Sequence, residues 1–464
     1  MNKQAPPPNF LRPAFAAEAK VEFDALLRAH PHVKFADAVL ADIGGALRGK
    51  RLPIGEAARL FESGMQIPHS IYLMDSRGEM MNPFGRGVGD GDPDGTAWPI
   101  PGTITPVWGE PRAQMLMTLR DNTGAPDPAE PRAALERVLE RFAELKLAPV
   151  AALELEFYLI DRARDGNGAP QPPISPRGGR RETAPSVYGI DDLDRYKDFL
   201  AALNDAAETQ RVPLSATSKE YAPGQFEANL KHQTDARAAA DHAVFLKQIV
   251  KAAAHSQGFE ATFMAKPYAE HPGSGLHIHL SIDDEKGRNI FDDGGEEGSQ
   301  AVRHAIAGLQ AAMPESMALF APNVNSFRRF RPDMFAPVNR RWGVNNRSVG
   351  LRVPVGPGEA CRIEHRVAGA DANPYFALAA VLAGAHHGLT AKPDPGAPAS
   401  GNVSRERDAE LPFTIDEALA KLEDASILQS YLGAETISLY RETKRIEAQR
   451  LRRAITPAEY EWYL

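Results

Sequence analysis

Two glutamates lie within the apolar segment VAALELEFYLI, residues 150–160, which has the composition of a buried strand. Side chains alternate between the two faces of a strand, so Glu154 and Glu156 point the same way. Carboxylates buried side by side repel each other and lose hydration unless a strong positive charge lies between them. A lone glutamate on a strand more often faces water, but this pair predicts a core strand whose acidic face binds a cation.

Five further residues of similar chemistry lie on extended segments. In LHIHLSI, which follows a glycine-rich run, His277 and His279 share one strand face. The segment SKEYAPGQFEANLKH places Glu220 and Glu227 on either side of a Pro-Gly turn, and RIEHRV places Glu364 between two arginines. The histidines taken alone could equally be core residues with satisfied hydrogen bonds. Taken together, oxygen ligands with one or two imidazoles suit Mg²⁺ or Mn²⁺ better than a soft metal.

Arginines are concentrated in residues 325–354, among Phe, Trp and Met. Arginine binds carboxylates and phosphates through two parallel hydrogen bonds. Clustered carboxylates together with clustered arginines predict a site for a metal–nucleotide complex and an anionic substrate. The arginines of this segment are Arg328, Arg329, Arg331, Arg340, Arg341, Arg347 and Arg352.

Composition excludes several classes of function. The 464 residues include 53 Lys or Arg and 61 Asp or Glu, and the formal net charge of −8 gives no electrostatic reason to expect a nucleic-acid partner. No apolar run is long enough to cross a bilayer, and the N-terminus MNKQAPPPNFLRP lacks the apolar core of a signal peptide. Cys361 is the only cysteine, which excludes an intramolecular disulfide and a zinc–cysteine site. These features predict a cytoplasmic enzyme with no membrane partner.

The chain divides into three predicted parts. Residues 1–20, rich in proline and alanine, are predicted to form a flexible arm, and residues 21–125 a small domain with a hairpin at Gly44-Gly45. A turn-rich linker follows, and Pro131 stands at the first position of an amphipathic helix, so the second domain is predicted to span 126–464.

The second domain resembles the glutamine synthetase family in six blocks that occur in the family's order. They are ELEFYL, SKEYAPGQFE, FMAKPYAEHPGSGLHIHLS, NSFRR, NNRSVGLRVP and RIEHRVAGADANPYFALAA. The resemblance implies an α+β fold, with a small N-terminal β-grasp domain and a C-terminal catalytic domain that contains a curved antiparallel sheet. It also implies a homo-dodecamer of two stacked hexameric rings, with active sites between neighbouring subunits.

The same resemblance implies a role for each matched residue. One metal is expected on Glu156, Glu220 and Glu227, and the other on Glu154, His277 and Glu364. Glutamate is expected to meet the backbone at Gly273 and to be bound by Arg329 and Arg366. Arg347 and Arg352 are expected to neutralise the transferred phosphoryl group, and His279 to donate a hydrogen bond to it. Ser281 and Arg362 are expected to contact the nucleotide.

The family's reaction activates the γ-carboxylate of glutamate with ATP and then transfers it to an amine. Glutamine synthetases hold ammonium with an N-terminal aspartate and a flap glutamate, but this chain has Pro68 or His69 and Phe335 in their places. Ammonium needs anionic oxygens, whereas these residues offer apolar room for a carbon chain. The sequence therefore resembles most the branch that makes γ-glutamylputrescine or related amides. An authentic glutamine synthetase, a non-catalytic relative and a ligase for another acid are the alternatives. Near the altered stretch, Glu62, Asp75 and Glu79 could either receive a second ammonium group or face water.

Overall fold

The computed structural model describes residues 12–295, 298–356 and 358–464. The first eleven residues of the predicted arm lie outside this range. The rest of that arm is largely helical, because the first helix begins at Phe15 and buries Ala16, Ala19 and Phe23. The segment from residue 15 to 20 was therefore wrongly predicted to be an arm. No helix in the described part of the chain is both long and apolar enough to span a membrane.

The N-terminal part forms a six-stranded sheet with the order β2-β1-β6-β4-β3, in which β5 pairs with β6. The hairpin predicted at Gly44-Gly45 is confirmed: β1 and β2 pair antiparallel across it, and the carboxylate of Asp42 accepts hydrogen bonds from the backbone N–H groups of Gly44 and Ala46. The elements are α1 Phe15–Ala29, β1 Phe35–Ala41, β2 Leu47–Pro53, α2 Ile54–Ala57, α3 Leu60–Ser63, β3 Met65–Pro68, β4 Asp94–Pro99, β5 Thr105–Pro106 and β6 Arg112–Arg120.

A second sheet of eight strands follows, with the order β12-β13-β14-β11-β7-β9-β8 and with β10 paired to β7. All of its pairs are antiparallel except β12 with β13, which run parallel. The predicted boundary after residue 125 falls between the two sheets. The strands are β7 Ala148–Ile160, β8 Leu214–Lys219, β9 Gln225–Leu230, β10 Glu260–Thr262, β11 Leu276–Asp283, β12 Trp342–Val344, β13 Leu351–Val353 and β14 Ile363–His365.

Helices pack around this sheet. The helix predicted at Pro131 is confirmed, whereas α8 has no counterpart among the predicted elements. Helix α8 packs closely on α9, where a Cβ on Gly308 would lie 2.1 Å from the carbonyl oxygen of Gly384, so only glycine permits this approach. The helices are α4 Pro131–Glu144, α5 Ile190–Arg195, α6 Lys197–Thr209, α7 Ala236–Ser256, α8 Gln300–Phe320, α9 Pro374–Ala391, α10 Ile415–Glu423, α11 Ser426–Leu432, α12 Ala434–Arg452 and α13 Pro457–Tyr463.

Candidate active site

A cavity of about 790 Å³ lies against one face of the eight-stranded sheet. Alternate residues of β7, β9 and β11 line it, as expected when one strand face is exposed to a cavity. All six predicted metal ligands line this cavity, together with His279 and five of the predicted arginines. Those arginines are Arg329, Arg347, Arg352, Arg362 and Arg366.

Strand register brings distant parts of the chain together on this face. Glu154 on β7 pairs with His277 on β11, and Glu156 pairs with Glu227 on β9. On the other side of β11, His279 pairs with Glu364 on β14. The acidic face predicted from the β7 sequence is therefore shared by four neighbouring strands.

The described chain contains two groups of three possible metal ligands, and within each group the ligand atoms lie within 4.8 Å of one another. One consists of Glu154, His279 and Glu364, and the other of Glu154, Glu227 and His277. The Nδ1 atom of His277 lies 3.3 Å from Glu154 Oε2, 3.8 Å from Glu227 Oε2 and 3.9 Å from Glu364 Oε1. His277 therefore lies close to both its predicted partners and Glu227.

Glu156 and Glu220 line the cavity but join neither group of the described residues. Glu156 instead accepts a hydrogen bond of 2.6 Å from the backbone N–H of Gly275, and Glu220 accepts one of 3.4 Å from Ser218. The division of the six ligands between two metals, which the family resemblance implies, stays a prediction.

The carboxylates of the site differ strongly in proton affinity. Burial, reinforced by Glu156, raises the pKa of Glu220 to about 7. Burial and the charges of Glu154 and Glu156 likewise raise the pKa of Glu227. Burial opposes ionisation of Glu154 as well, but the adjacent imidazoles of His277 and His279 outweigh it and hold its pKa below the usual range. Glu220 and Glu227 thus lie in an acidic region, where a bound cation would offset the repulsion between carboxylates.

Arginines and imidazoles surround the acidic face. Arg352 donates a hydrogen bond of 2.7 Å to Glu364, which also accepts one from Arg366. Arg362 Nε donates to Nδ1 of His279 at 3.0 Å. An arginine can only donate, so neutral His279 must carry its proton on Nε2, which lies 2.8 Å from Glu154 Oε1. His279 therefore presents a donor toward the carboxylate cluster.

The glycine-rich run Gly273-Ser274-Gly275 forms another wall of the cavity. A Cβ on Gly273 would lie 2.4 Å from Cγ of Arg329 and 2.5 Å from the carbonyl oxygen of Ala265, so a larger residue does not fit. Arg329 is buried and donates to the carbonyl oxygen of Val367 at 3.1 Å, while its Nε has no partner within the described chain. Such a buried, incompletely paired guanidinium fits the predicted role in binding a carboxylate.

Several residues considered from the sequence do not line the cavity. Ser281 lies on β11 two residues beyond His279 but does not line the cavity, and Pro68 lies on β3 in the other sheet. Arg450 of the same chain lies beside Asp75 and Glu79, which were considered as binding groups for a second ammonium. Its Nη1 atom is 3.5 Å from Asp75 Oδ2 and 2.9 Å from Glu79 Oε2. The charges of these two carboxylates are thus compensated internally.

Several lining residues were not identified from the sequence. Asn229 lies two residues beyond Glu227 on the same strand face, and its amide lies 3.4 Å from Glu154, so the alternation that revealed the glutamates also contained this signal. Tyr221 directly follows Glu220. Tyr188 comes from the long loop before α5, where no periodic pattern marks it.

Comparison with known proteins places this geometry in context. The model of the glutamine synthetase catalytic domain matches residues 128–463. A γ-glutamylputrescine synthetase of Escherichia coli (strain K12) is 40% identical over 97% of this chain and 95% of its own. A glutamate–isopropylamine ligase of a Pseudomonas species is 32% identical over 87% and 89%, and a γ-glutamylethanolamide synthetase of Streptomyces coelicolor is 32% identical over 90% of each. The solved structure of a GmaS/ADP complex matches with a TM-score of 0.82 at 28% identity, covering 95% of this chain and 99% of that one.

Proposed function

The chain belongs to the glutamine synthetase family, and we propose that it is an ATP-dependent ligase that joins the γ-carboxylate of glutamate to an organic primary amine. The predicted α+β fold of this family, with its curled catalytic sheet, is confirmed. One detail differs from the prediction, since the pair β12–β13 makes the sheet mixed rather than wholly antiparallel.

What supports this function most directly is the meeting of five glutamates, two histidines and five arginines in one cavity. A ligase of this kind must bring two anions, glutamate and ATP, into contact, and their repulsion has to be offset by fixed positive charge. The relatives named for putrescine, isopropylamine and an ethanolamide support an organic amine as the third substrate. A putrescine-like amine fits the most similar of these three relatives.

The reaction has two steps. The γ-carboxylate of glutamate attacks the γ-phosphate of ATP, which releases ADP and leaves γ-glutamyl phosphate. The amine then attacks the carbonyl carbon of this acyl phosphate, and phosphate and a proton leave as the amide forms. In the first step the negative charge spreads over the phosphoryl oxygens, so positioning and electrostatic stabilisation dominate catalysis.

The carboxylate and imidazole atoms suit a hard divalent cation. Burial and the neighbouring carboxylates raise the pKa of Glu227, and such a cation would offset the repulsion among these carboxylates. The residues that would hold Mg²⁺ or Mn²⁺ are Glu154, Glu156, Glu220, Glu227, His277 and Glu364. The cations would supply positive charge at the phosphates.

The chain's own donors then act on the substrates. Arg347 and Arg352 would neutralise the phosphoryl group, and the Nε2–H of His279 would donate to one of its oxygens. Arg329 and Arg366 would bind glutamate beside Gly273. Arg362 would contact the nucleotide while holding the tautomer of His279. Ser281 would contact the nucleotide only where it extends along β11 past the cavity lining.

The amine would meet Phe335, which lines the cavity where a carboxylate would otherwise bind ammonium. Pro68 lies in the other sheet and does not line its own chain's cavity, so it could act only across a subunit boundary. The proposed homo-dodecamer, in which one copy completes the site of the next, would bring Pro68 of a neighbouring copy to the cavity. The cytoplasmic location stays a prediction.

The test is phosphate release from ATP by the purified protein, with glutamate, Mg²⁺ and one amine at a time. Putrescine, isopropylamine, ethanolamine and ammonium form the panel, and mass spectrometry identifies the product. We expect a γ-glutamyl amide of an organic amine to form with a kcat/KM well above that for ammonium. Preference for ammonium over every organic amine would instead establish a glutamine synthetase, and no glutamate-dependent turnover with any amine would refute the ligase.

A further inference from the structure

Three large aromatic side chains stand open at the cavity: Tyr188, Tyr221 and Phe335, together called the aromatic rim. Their exposed fractions are 59%, 41% and 66%, although each lines the same cavity as the buried glutamates. The rings of Tyr221 and Phe335 lie 5.5 Å apart between centroids at an interplanar angle of 49°. Aromatic surface left open at a cavity is typical of a binding site.

The backbone of the rim is held in an unusual conformation. Tyr188 and Phe335 have positive φ angles of 55° and 63°, a region that costs a non-glycine residue about 1–3 kcal/mol. Two backbone hydrogen bonds attach the loop to the end of β8: Tyr188 N–H donates to Lys219 at 3.0 Å and Ser186 N–H to Tyr221 at 3.1 Å. These bonds hold the Tyr188 loop against the end of β8 despite the strained φ angle of Tyr188.

The rim lies at one end of the site. Tyr221 follows β8, whereas Arg362 precedes β14, and the sheet order places β11, β7 and β9 between these two strands. With the nucleotide at the Arg362 end and glutamate over the central strands, the β8 end is the side left for the third substrate.

The charges at this end also limit what can bind. All carboxylates among the described lining residues belong to the predicted metal-ligand set, and the rim itself carries none. An ammonium group at the rim would therefore meet ring faces, which attract cations by roughly 0.5–2 kcal/mol, while a carbon chain would be covered by the same rings.

We propose that the aromatic rim is the amine subsite: the carbon chain lies against Tyr221 and Phe335, and the second ammonium of an α,ω-diamine lies over a ring face. This inference rests on the proposed ligase function and specifies its third substrate. Tyr221 is the residue that most clearly separates the two contributions, because leucine can replace its apolar area but not its π face.

The experiment compares kcat/KM for 1,4-diaminobutane and butylamine in the wild type, Tyr221→Ala, Tyr221→Leu and Tyr221→Phe, at saturating glutamate, ATP and Mg²⁺. Tyr221→Ala should lower kcat/KM for both amines at least about fivefold. Tyr221→Leu should lower it at least about threefold more for the diamine than for butylamine, and Tyr221→Phe should restore most of that difference. Tyr460→Leu, an exposed tyrosine on α13 that lines none of this cavity, is the matched control and should behave as the wild type.

The outcomes separate the inference from the function beneath it. Equal losses for the two amines in Tyr221→Leu would overturn the placement of the second ammonium. Unchanged kcat/KM in Tyr221→Ala, with a wild type that does ligate organic amines, would overturn the amine subsite alone. A wild type that ligates no organic amine would overturn the proposed function itself.

Discussion

Replacing Gly273 by alanine should damage glutamate binding selectively. The new Cβ would lie 2.4 Å from Cγ of Arg329 and 2.5 Å from the carbonyl oxygen of Ala265. That oxygen already accepts the N–H of Ser274 at 2.8 Å, which leaves little freedom on the backbone side. Carbon atoms need at least about 3.5 Å, so the Arg329 side chain would have to retreat by about 1 Å.

A displacement of that size matters because Arg329 is proposed to bind the carboxylate of glutamate. Misplacement of a binding group by about 1 Å can cost up to about a hundredfold. We expect Gly273→Ala to raise the KM for glutamate about 10- to 100-fold. The KM for ATP should change much less, because the nucleotide is proposed to bind at the Arg362 end.

The assay is phosphate release at varied glutamate and at varied ATP, with a thermal denaturation midpoint to confirm folding. Gly166→Ala is the matched control, since nothing lies within 4 Å of a Cβ at that position and its backbone is not in the positive-φ region. A folded Gly273→Ala variant with the wild-type KM for glutamate would show that the run does not control Arg329. Equal losses for ATP and glutamate would refute the selective explanation.

Three further outcomes are expected. Glu156→Ala and Glu227→Ala should abolish ATP turnover and weaken Mn²⁺ binding in calorimetry while the assembly stays folded; wild-type turnover in either would contradict the metal assignment. Burial raises the pKa of Glu130 from 4.5 to about 8. Above pH 4.5 the unfolded chain therefore loses a proton that the folded chain keeps. The free energy of unfolding should fall between pH 4.5 and pH 8 by up to about 1.4 kcal/mol per pH unit. Glu130→Gln should flatten this slope in denaturation midpoints, and an unchanged slope would exclude Glu130 as its cause. Sedimentation should show a ring assembly of about twelve copies, and a fully active monomer would contradict the shared site.

Much of the site could be predicted because many of its functional side chains lie on strands. Alternation alone placed Glu154 with Glu156 and His277 with His279 on common faces, and both pairs line the cavity. Alternation describes a single strand, however, and says nothing about which strands become neighbours. The pairing of Glu154 with His277, 123 residues away, depends on the sheet order and was accessible only through the resemblance to a family.

The residues that sequence reasoning missed belong mainly to loops. Tyr188 owes its position to a positive φ angle and to a backbone hydrogen bond with Lys219, neither of which a composition pattern encodes. Helix α8 was missed for a different reason: Pro314 lies inside it, and an internal proline argues against a helix when only the sequence is read.

The groups proposed to activate glutamate and those proposed to select the amine differ in how the fold holds them. Five of the six predicted metal ligands lie on paired strands, whose geometry is fixed by backbone hydrogen bonds that side-chain substitutions hardly disturb. The loops carry Tyr188, Tyr221 and Phe335, none of which belongs to the predicted metal-ligand set. With the amine assigned to the rim and glutamate to Arg329, as proposed, a change of amine would require substitution mainly at the rim. A change of the activated acid would require rebuilding the buried surroundings of Arg329. The amine should accordingly be the most variable of the three substrates among chains that share this sheet.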